Sequence, residues 1–472
     1  MSGRAQGPGL RYRIETWGCQ MNEHDSELMA GALASQGMSP AASARDADVI
    51  LLNTCAVREK ASEKVFSRLG RLRHLKSRRP HLVIGVCGCV AQMEQETIFR
   101  RAPHVDIVMG PRHLGSLQTL VEQARHRRHQ LAVIDPRDRL LPEEGTAALR
   151  SSRARAYITV MEGCSKACSF CIVPSTRGRE ACRPPDAILA EARAVVDGGY
   201  LEIELLGQNV NAYRSEGWDF TRLLSEVSRL PGLRRLRFTT SHPLHFKHTI
   251  PDLMASRPVI CPHVHLPFQS GSNAVLSRMQ RGYTVEEFLS RVEYARRRVP
   301  GLALSTDVIV GFPGETEEDF ERTMDVVAAV RFHQVYAFVY SARPGTPAAS
   351  LADDLPRERK ESRLQRLLAL QRSIQEEIHA GYLGRTVEIL AEGPSARDPR
   401  VLAGRTECNR VVNFEGPLSL TGSIARVRIT GTGPTSLRGE ALPADRARPP
   451  LTSREGRDIN SGERAARGGM IP

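Results

Sequence analysis

Cys164, Cys168 and Cys171 fall within one short stretch, Gly163-Cys-Ser-Lys-Ala-Cys-Ser-Phe-Cys-Ile172. Three thiolates this close can hold three irons of a [4Fe–4S] cube, whose usual ligand set is four cysteines. A three-cysteine site leaves one iron open to a substrate or cofactor. The competing reading is zinc, which takes four ligands and often draws them from paired cysteines. No second pair lies nearby, so the spacing favours iron and sulfur.

Cys19, Cys55 and Cys89 make a second set from distant parts of the chain. Strand-like runs at 11–16, 48–53 and 82–86 lead into Gly18-Cys19, Thr54-Cys55 and Cys87-Gly-Cys89, with helix-like segments near 26–35 and 59–76 between them. Strand–helix–strand alternation argues a parallel α/β sheet. Ligands of such sheets gather at the carboxyl ends of the strands, where these cysteines fall. A single such cysteine reads as a buried structural thiol. Three at matching strand ends read as a second metal site, with Cys87 competing with Cys89 for the third place. Cys182, Cys261 and Cys408 have no partner at ligand spacing and read as ordinary thiols.

From about residue 154 a strand–helix pattern repeats. Strand-like runs lie at 156–160, 201–206, 236–240, 264–268, 302–310 and 334–340. Helix-like runs lie at 185–197, 220–229, 286–298 and 317–330. Thr284 with Glu287 makes a capping box, and Thr316 with Asp319 places a carboxylate in a first helical turn. Six such units predict a partial (β/α) barrel with its site at the carboxyl strand ends. The loops there are Gly163-Cys164, Gly207-Gln-Asn-Val-Asn211, Ser241-His-Pro243, Gln269-Ser-Gly-Ser272 and Gly311-Phe-Pro-Gly-Glu315. His242, His245, His263 and His265 lie near that rim and read as structural groups. Arg177 and Arg179 follow the cysteine loop and suit a carboxylate, an RNA phosphate or plain solvation. A helix at 355–379 carries Leu364, Leu367, Leu368, Ile374 and Ile378 on one stripe, which suits packing between domains. Short strand-like runs at 386–390, 410–414 and 424–430 predict a small β-barrel. Residues beyond about 442 are rich in Arg, Pro and Gly and read as a disordered tail.

The chain has 472 residues, 41% of them apolar, enough for several domains. Lys and Arg number 66 against 53 Asp and Glu, a formal net charge of +13, which favours a polyanionic partner. Ten cysteines in this length exclude a disulfide scaffold. With no leader-like apolar opening and no run of membrane-span length, we expect a cytoplasmic protein that does not enter a membrane.

The central cysteine motif, with the aromatic Phe170 before its last cysteine, resembles that of the radical S-adenosylmethionine (SAM) enzymes. Gly18-Cys-Gln-Met-Asn22, Asn53-Thr-Cys-Ala-Val-Arg58 and Gly88-Cys-Val-Ala-Gln92 resemble the N-terminal motifs of the methylthiotransferases, and the terminal barrel resembles their TRAM domain. The resemblance spans roughly residues 11–441. It implies an α/β fold in three parts: a parallel-sheet domain at 11–127 with an auxiliary cluster, a radical SAM barrel at 150–379, and a TRAM barrel at 380–442. The tail at 443–472 lies outside it.

The resemblance further implies two [4Fe–4S] clusters, one on Cys164, Cys168 and Cys171 and one on Cys19, Cys55 and Cys89, the last preferred over Cys87. Phe170, Gly207 and Gln208 would contact SAM. Gln269-Ser-Gly-Ser-Asn273, Arg281-Gly-Tyr-Thr284 and residues 59–68 are most similar to the branch that converts N6-isopentenyladenosine at position 37 of tRNA to its 2-methylthio form. The alternatives are sister enzymes acting on threonylcarbamoyl-adenosine in tRNA or on a ribosomal protein. Ser175 departs from the pattern, where Tyr is frequent. The implied partners are the tRNA anticodon loop and a flavodoxin or ferredoxin as electron donor, with the enzyme a monomer.

Overall fold

The computed structural model describes residues 9–56, 61–127, 130–135 and 148–443. The tail from 444 and the start of the 59–76 helix lie outside these residues. The N-terminal part is a parallel sheet of β1 (Arg11–Trp17), β2 (Ser39–Pro40), β3 (Val49–Thr54), β4 (Val83–Cys87), β5 (Ile107–Met109) and β6 (Leu131–Val133), in the order β2-β1-β3-β4-β5-β6. Strand β3 reads Val-Ile-Leu-Leu-Asn-Thr and is buried on both faces, as parallel strands covered by helices must be. Ile50 and Leu52 join one core with Val65 and Leu69 of α2 (Ala61–Arg78). Val49 and Leu51 join the other with Met29 and Leu33 of α1 (Gln20–Ser35). The strand order reverses between β1 and β3. Such a switch point leaves a crevice at the carboxyl ends, where the loops on either side diverge.

The middle part is built on the strands Arg155–Thr159, Glu202–Leu206, Arg235–Phe238, His263–His265, Ala303–Val310 and Gln334–Val339. They form two parallel three-stranded sheets joined by the bridge Leu236 to Ile260, and among the described residues nothing pairs the outer strands Arg155–Thr159 and Gln334–Val339, so the barrel is open. The helices Pro185–Asp197 and Glu317–Val330 match their sequence-read bounds. Thr316 and Asp319 make a full capping box, with reciprocal bonds of 3.1 Å.

The helix Arg357–Ala380 packs on strand Gln334–Val339, but its buried stripe is mixed. Leu367 and Ile374 share it with Lys360, Arg363, Gln371, Gln375 and His379. Several polar members find partners on neighbouring segments. Arg363 reaches Glu315 at 2.8 Å, and Gln371 donates to the Phe332 carbonyl at 2.9 Å.

The C-terminal part is a closed barrel of Thr386–Pro394, Leu402–Thr406, Val411–Glu415, Ile424–Thr432 and Leu437–Ala441. The second and fifth strands went unread in the sequence because Gly404 and Gly439 interrupt their apolar pattern. Each glycine is required by close approach. A Cβ on Gly404 would stand 2.3 Å from the Leu390 carbonyl oxygen, and one on Gly439 2.5 Å from that of Arg428.

Both other parts pack against the first half of the open barrel, on the face turned away from its helices. Tyr157 and Leu206 enclose Met21 at the start of α1, and the Tyr157 hydroxyl donates to Glu23 at 2.9 Å. On the next strand Arg235 and Arg237 are buried, and they donate to the carbonyls of Arg405, Glu388, Glu407 and Thr406 of the C-terminal barrel at 2.7–3.0 Å. The N-terminal and C-terminal parts are thus seated on one sheet.

Candidate metal centres

Each cysteine of the N-terminal triplet is presented by a different strand end. Cys19 caps α1, and Asn22 returns its side chain toward the Cys19 amide at 3.4 Å. Gly18 must be glycine for this turn, since a Cβ there would meet Asn22 Oδ1 at 2.3 Å. Cys55 follows β3, its amide bonded to the Trp17 carbonyl at 3.0 Å, so the two loops flank the switch point directly. Cys89 opens α3 (Cys89–Glu94) after Gly88, whose φ of +82° is easy only for glycine. Asn53, fully buried, ties the crevice together by donating to the Asn22 carbonyl at 2.8 Å and to Ser26 Oγ at 2.9 Å.

The thiols are electrostatically joined. Cys19 is lowered to about 6, chiefly by a hydrogen bond from Cys55, with help from the Arg177 charge and the backbone amides of Asn22 and Met21 that open α1. Burial raises Cys89, while a hydrogen bond and the charge of Arg177 pull it down. Cys87 stands apart as the last residue of β4. It is wholly buried among Val49, Leu51 and Ile107, and burial pushes its thiol up to about 12.

The second triplet lies in the loop after strand Arg155–Thr159. Cys164 is half-buried and donates its amide to the Gly178 carbonyl at 3.1 Å. The Cys171 amide bonds the Cys168 carbonyl at 3.1 Å. Gly163 adopts φ +75°, and a Cβ there would lie 2.2 Å from the Arg179 carbonyl oxygen. Gln208 accepts from the Gly163 amide at 2.5 Å and so braces the loop from the neighbouring strand. A Cβ on Gly207 would stand 2.6 Å from Met161 Cγ. Phe170 packs with Val275, Met279, Phe312 and Tyr340, which anchors the loop to the opposite half-barrel. Burial raises Cys171 to about 12, with the Cys168 and Cys164 charges adding to it.

Among the described residues no three His, Cys, Asp or Glu side chains converge as ligands of a single ion. A cube makes a different demand. Each thiolate takes a different iron, so three ligands must surround a volume rather than meet at a point. Within each triplet the thiols act on one another's charge, as ligands set around one shared volume would.

Other rim groups carry structural work, as their sequence context suggested. His242 accepts from the Leu244 amide at 3.2 Å, and burial lowers it to about 2. His263 and His265 share Ser305, at 3.2 and 3.0 Å. Arg177 differs from expectation. It is neither solvated nor turned toward an open pocket, but pairs with Asp25 at 2.6 Å in the interior, while Arg179 is exposed. Arg281, in the loop Arg281-Gly-Tyr-Thr284, had no role read from sequence. It is buried and donates to Cys168 Sγ at 3.4 Å and to the Pro267 carbonyl at 2.9 Å. Nothing local in the sequence marks Asp25. Its partner is 152 residues away.

Comparison with known proteins gives three family matches: Uncharacterized protein family UPF0004 at residues 11–110, the Radical SAM superfamily at 158–327 and the TRAM domain at 381–442. Curated relatives include the tRNA-2-methylthio-N(6)-dimethylallyladenosine synthase of Bordetella bronchiseptica, 50% identical over 94% of each chain. The enzyme of the same name from Aeromonas hydrophila is 48% identical over 92% of each. A solved radical S-adenosylmethionine methyltransferase from Kitasatospora setae, with cobalamin and a [4Fe-4S] cluster bound, superposes with a TM-score of 0.54. It is 16% identical and covers 72% of this chain and 77% of its own, a likeness of fold alone.

Proposed function

Since the chain belongs to the tRNA-2-methylthio-N(6)-dimethylallyladenosine synthase family of radical SAM enzymes, we propose that its two cysteine triplets are the two working centres of that reaction. The enzyme is a radical SAM methylthiotransferase that converts N6-isopentenyladenosine in tRNA to the 2-methylthio derivative, with two [4Fe–4S] clusters and SAM. Cys164, Cys168 and Cys171 would hold the cluster that binds SAM. Cys19, Cys55 and Cys89 would hold the one that carries sulfur. When bound, these groups supply C–H activation at adenine C2 and the sulfur that replaces the hydrogen, chemistry beyond acid–base side chains.

The chain's own residues do the rest. Gln208 and Gly163 fix the conformation of the cysteine loop, and Phe170 holds it against the opposite half-barrel. Phe170, Gly207 and Gln208 border the place we assign to SAM. Met21 and Glu23, seated on Tyr157 and Leu206, bring the Cys19 turn to the same strand from which the second triplet departs. Arg281 sets a positive charge beside Cys168. The net positive charge and the small barrel suit a tRNA whose unpaired loop base is read while its phosphates supply salt-dependent affinity. A flavodoxin or ferredoxin as electron donor, action as a monomer in the cytoplasm, and the domain bounds given above complete the reading. Among the described residues no helix is long and apolar enough to cross a membrane.

The observation that carries the assignment is the pairing of two strand-end thiol triplets, each gathered by the fold, in a chain half identical to these synthases. Neither relative reported above bears a sister activity in its name. Mass spectrometry of tRNA nucleosides from a deletion strain tests the function. Loss of 2-methylthio-isopentenyladenosine, with N6-isopentenyladenosine accumulating, is expected. An unchanged methylthio nucleoside overturns it.

A further inference from the structure

The short helix Val173–Arg177 begins just after Cys171, and the chain leaves it by Gly178 in a left-handed conformation, φ +71°. The backbone here belongs to the central triplet: the Gly178 carbonyl accepts from the Cys164 amide at 3.1 Å, and Gly163 is pressed against the Gly178 and Arg179 carbonyls. The Arg177 side chain points the other way, into the N-terminal part. It is 3% exposed and pairs with Asp25, 2% exposed, at 2.6 Å. Its helix packs against α3, the helix that Cys89 opens, so the guanidinium acts on the Cys89 and Cys19 thiols, with buried Glu162 as a further nearby charge. Adjacent residues thus touch both triplets, and a guanidinium borne by one centre's loop stands against the thiols of the other.

We propose that Arg177 is the positioning residue of the auxiliary centre, with its charge set against the Cys19 and Cys89 thiolates and its orientation fixed by Asp25. This rests on the reading that Cys19, Cys55 and Cys89 hold a cluster. A cation and a hydrogen bond at the ligand sulfurs stabilise the more negative, reduced state, which raises the reduction potential. Asp25 acts with the opposite sign, since its carboxylate opposes negative charge at the same thiols. Arg281 is the equivalent cation beside Cys168, and the described contacts give it carbonyl and hydroxyl partners rather than a carboxylate. The two centres therefore differ in local charge, which gives each its own potential.

A purely architectural ion pair would respond identically to loss of either partner. Charge-setting predicts opposite responses, and that separates the two. The test uses the full chain with Cys164, Cys168 and Cys171 replaced by Ala, reconstituted anaerobically, so that only the auxiliary centre titrates. Arg177→Gln should shift its midpoint potential more negative, Asp25→Asn more positive, and Arg177→Lys should stay near the parent. Shifts of the same sign in R177Q and D25N, or none in either, overturn the inference. Should R177Q fail to load iron, D25N against R177K carries the test, and an unmoved potential in D25N overturns it. If the parent triple variant itself binds no iron, the cluster assignment fails instead, so the two failures are distinguishable.

Discussion

At the scale of single residues, the end of a strand separates two neighbouring thiols. Cys87 and Cys89 are two positions apart, but one closes a strand inside the core and the other opens a helix at the crevice. We expect Cys89→Ala to abolish loading of the auxiliary centre while Cys87→Ala spares it, read as iron per chain after reconstitution with the central triplet removed. The reverse result would reassign the ligand. The central triplet was legible from its own close spacing, and the N-terminal one from cysteines at the carboxyl ends of parallel strands. Choosing Cys89 over Cys87 needed the family motif Gly88-Cys-Val-Ala-Gln92. Arg177 was legible as a cation and misplaced as to target. Its partner Asp25 and the Arg281 contact to Cys168 arise from tertiary packing across more than a hundred residues, which no local pattern encodes.

At the scale of elements, the cysteine loops are held by neighbours rather than by their own propensity. All six central strands and the central helices read in the sequence were placed to within a few residues, because their periodicity and caps agree with the fold, whereas α1 starts six residues before its sequence-read bound and the helix Leu117–Arg127 went unread. The C-terminal barrel was legible as a barrel but short of two strands, where glycines replace the side chains that carry the alternation. What fastens that barrel is a strand-borne pair of arginines. Arg237 is buried with Glu202, Nε to carboxylate 3.1 Å, and caps two carbonyls of the barrel at 2.7 Å. Removing one member of a buried pair strands the other's charge, at a cost of about 3–5 kcal/mol. Arg237→Ala should therefore lower the unfolding free energy of the cluster-free chain, read from urea titration, by that order. A change within a few tenths of a kcal/mol would show that the arginine is dispensable to docking.

At the scale of the whole molecule, two parts are seated on one open barrel, and stability inherits the ionisable groups that folding buries. His242 is pushed down to about 2 and His333 to about 3, both chiefly by burial. Unfolded, each titrates near 6.5. As pH falls through that value the unfolded chain takes up protons that the native chain refuses. Stability is full above it and is lost below it, by about 1.4 kcal/mol per pH unit for each imidazole. Denaturant midpoints of the cluster-free chain should fall on acidification below pH ~6.5. His333→Gln should remove its share of that slope, and an unchanged slope would contradict the assignment.

The central claim is that one triplet opens a C–H bond of a tRNA adenine and the other fills it with sulfur. Its most direct test is mass analysis of a prenylated anticodon stem-loop after incubation with anaerobically reconstituted enzyme, reductant and SAM. The account predicts gain of one methylthio group by the parent enzyme. With Cys89→Ala it predicts SAM cleavage to 5′-deoxyadenosine but no methylthio product. A methylthio product formed at the parent's rate by Cys89→Ala would contradict it.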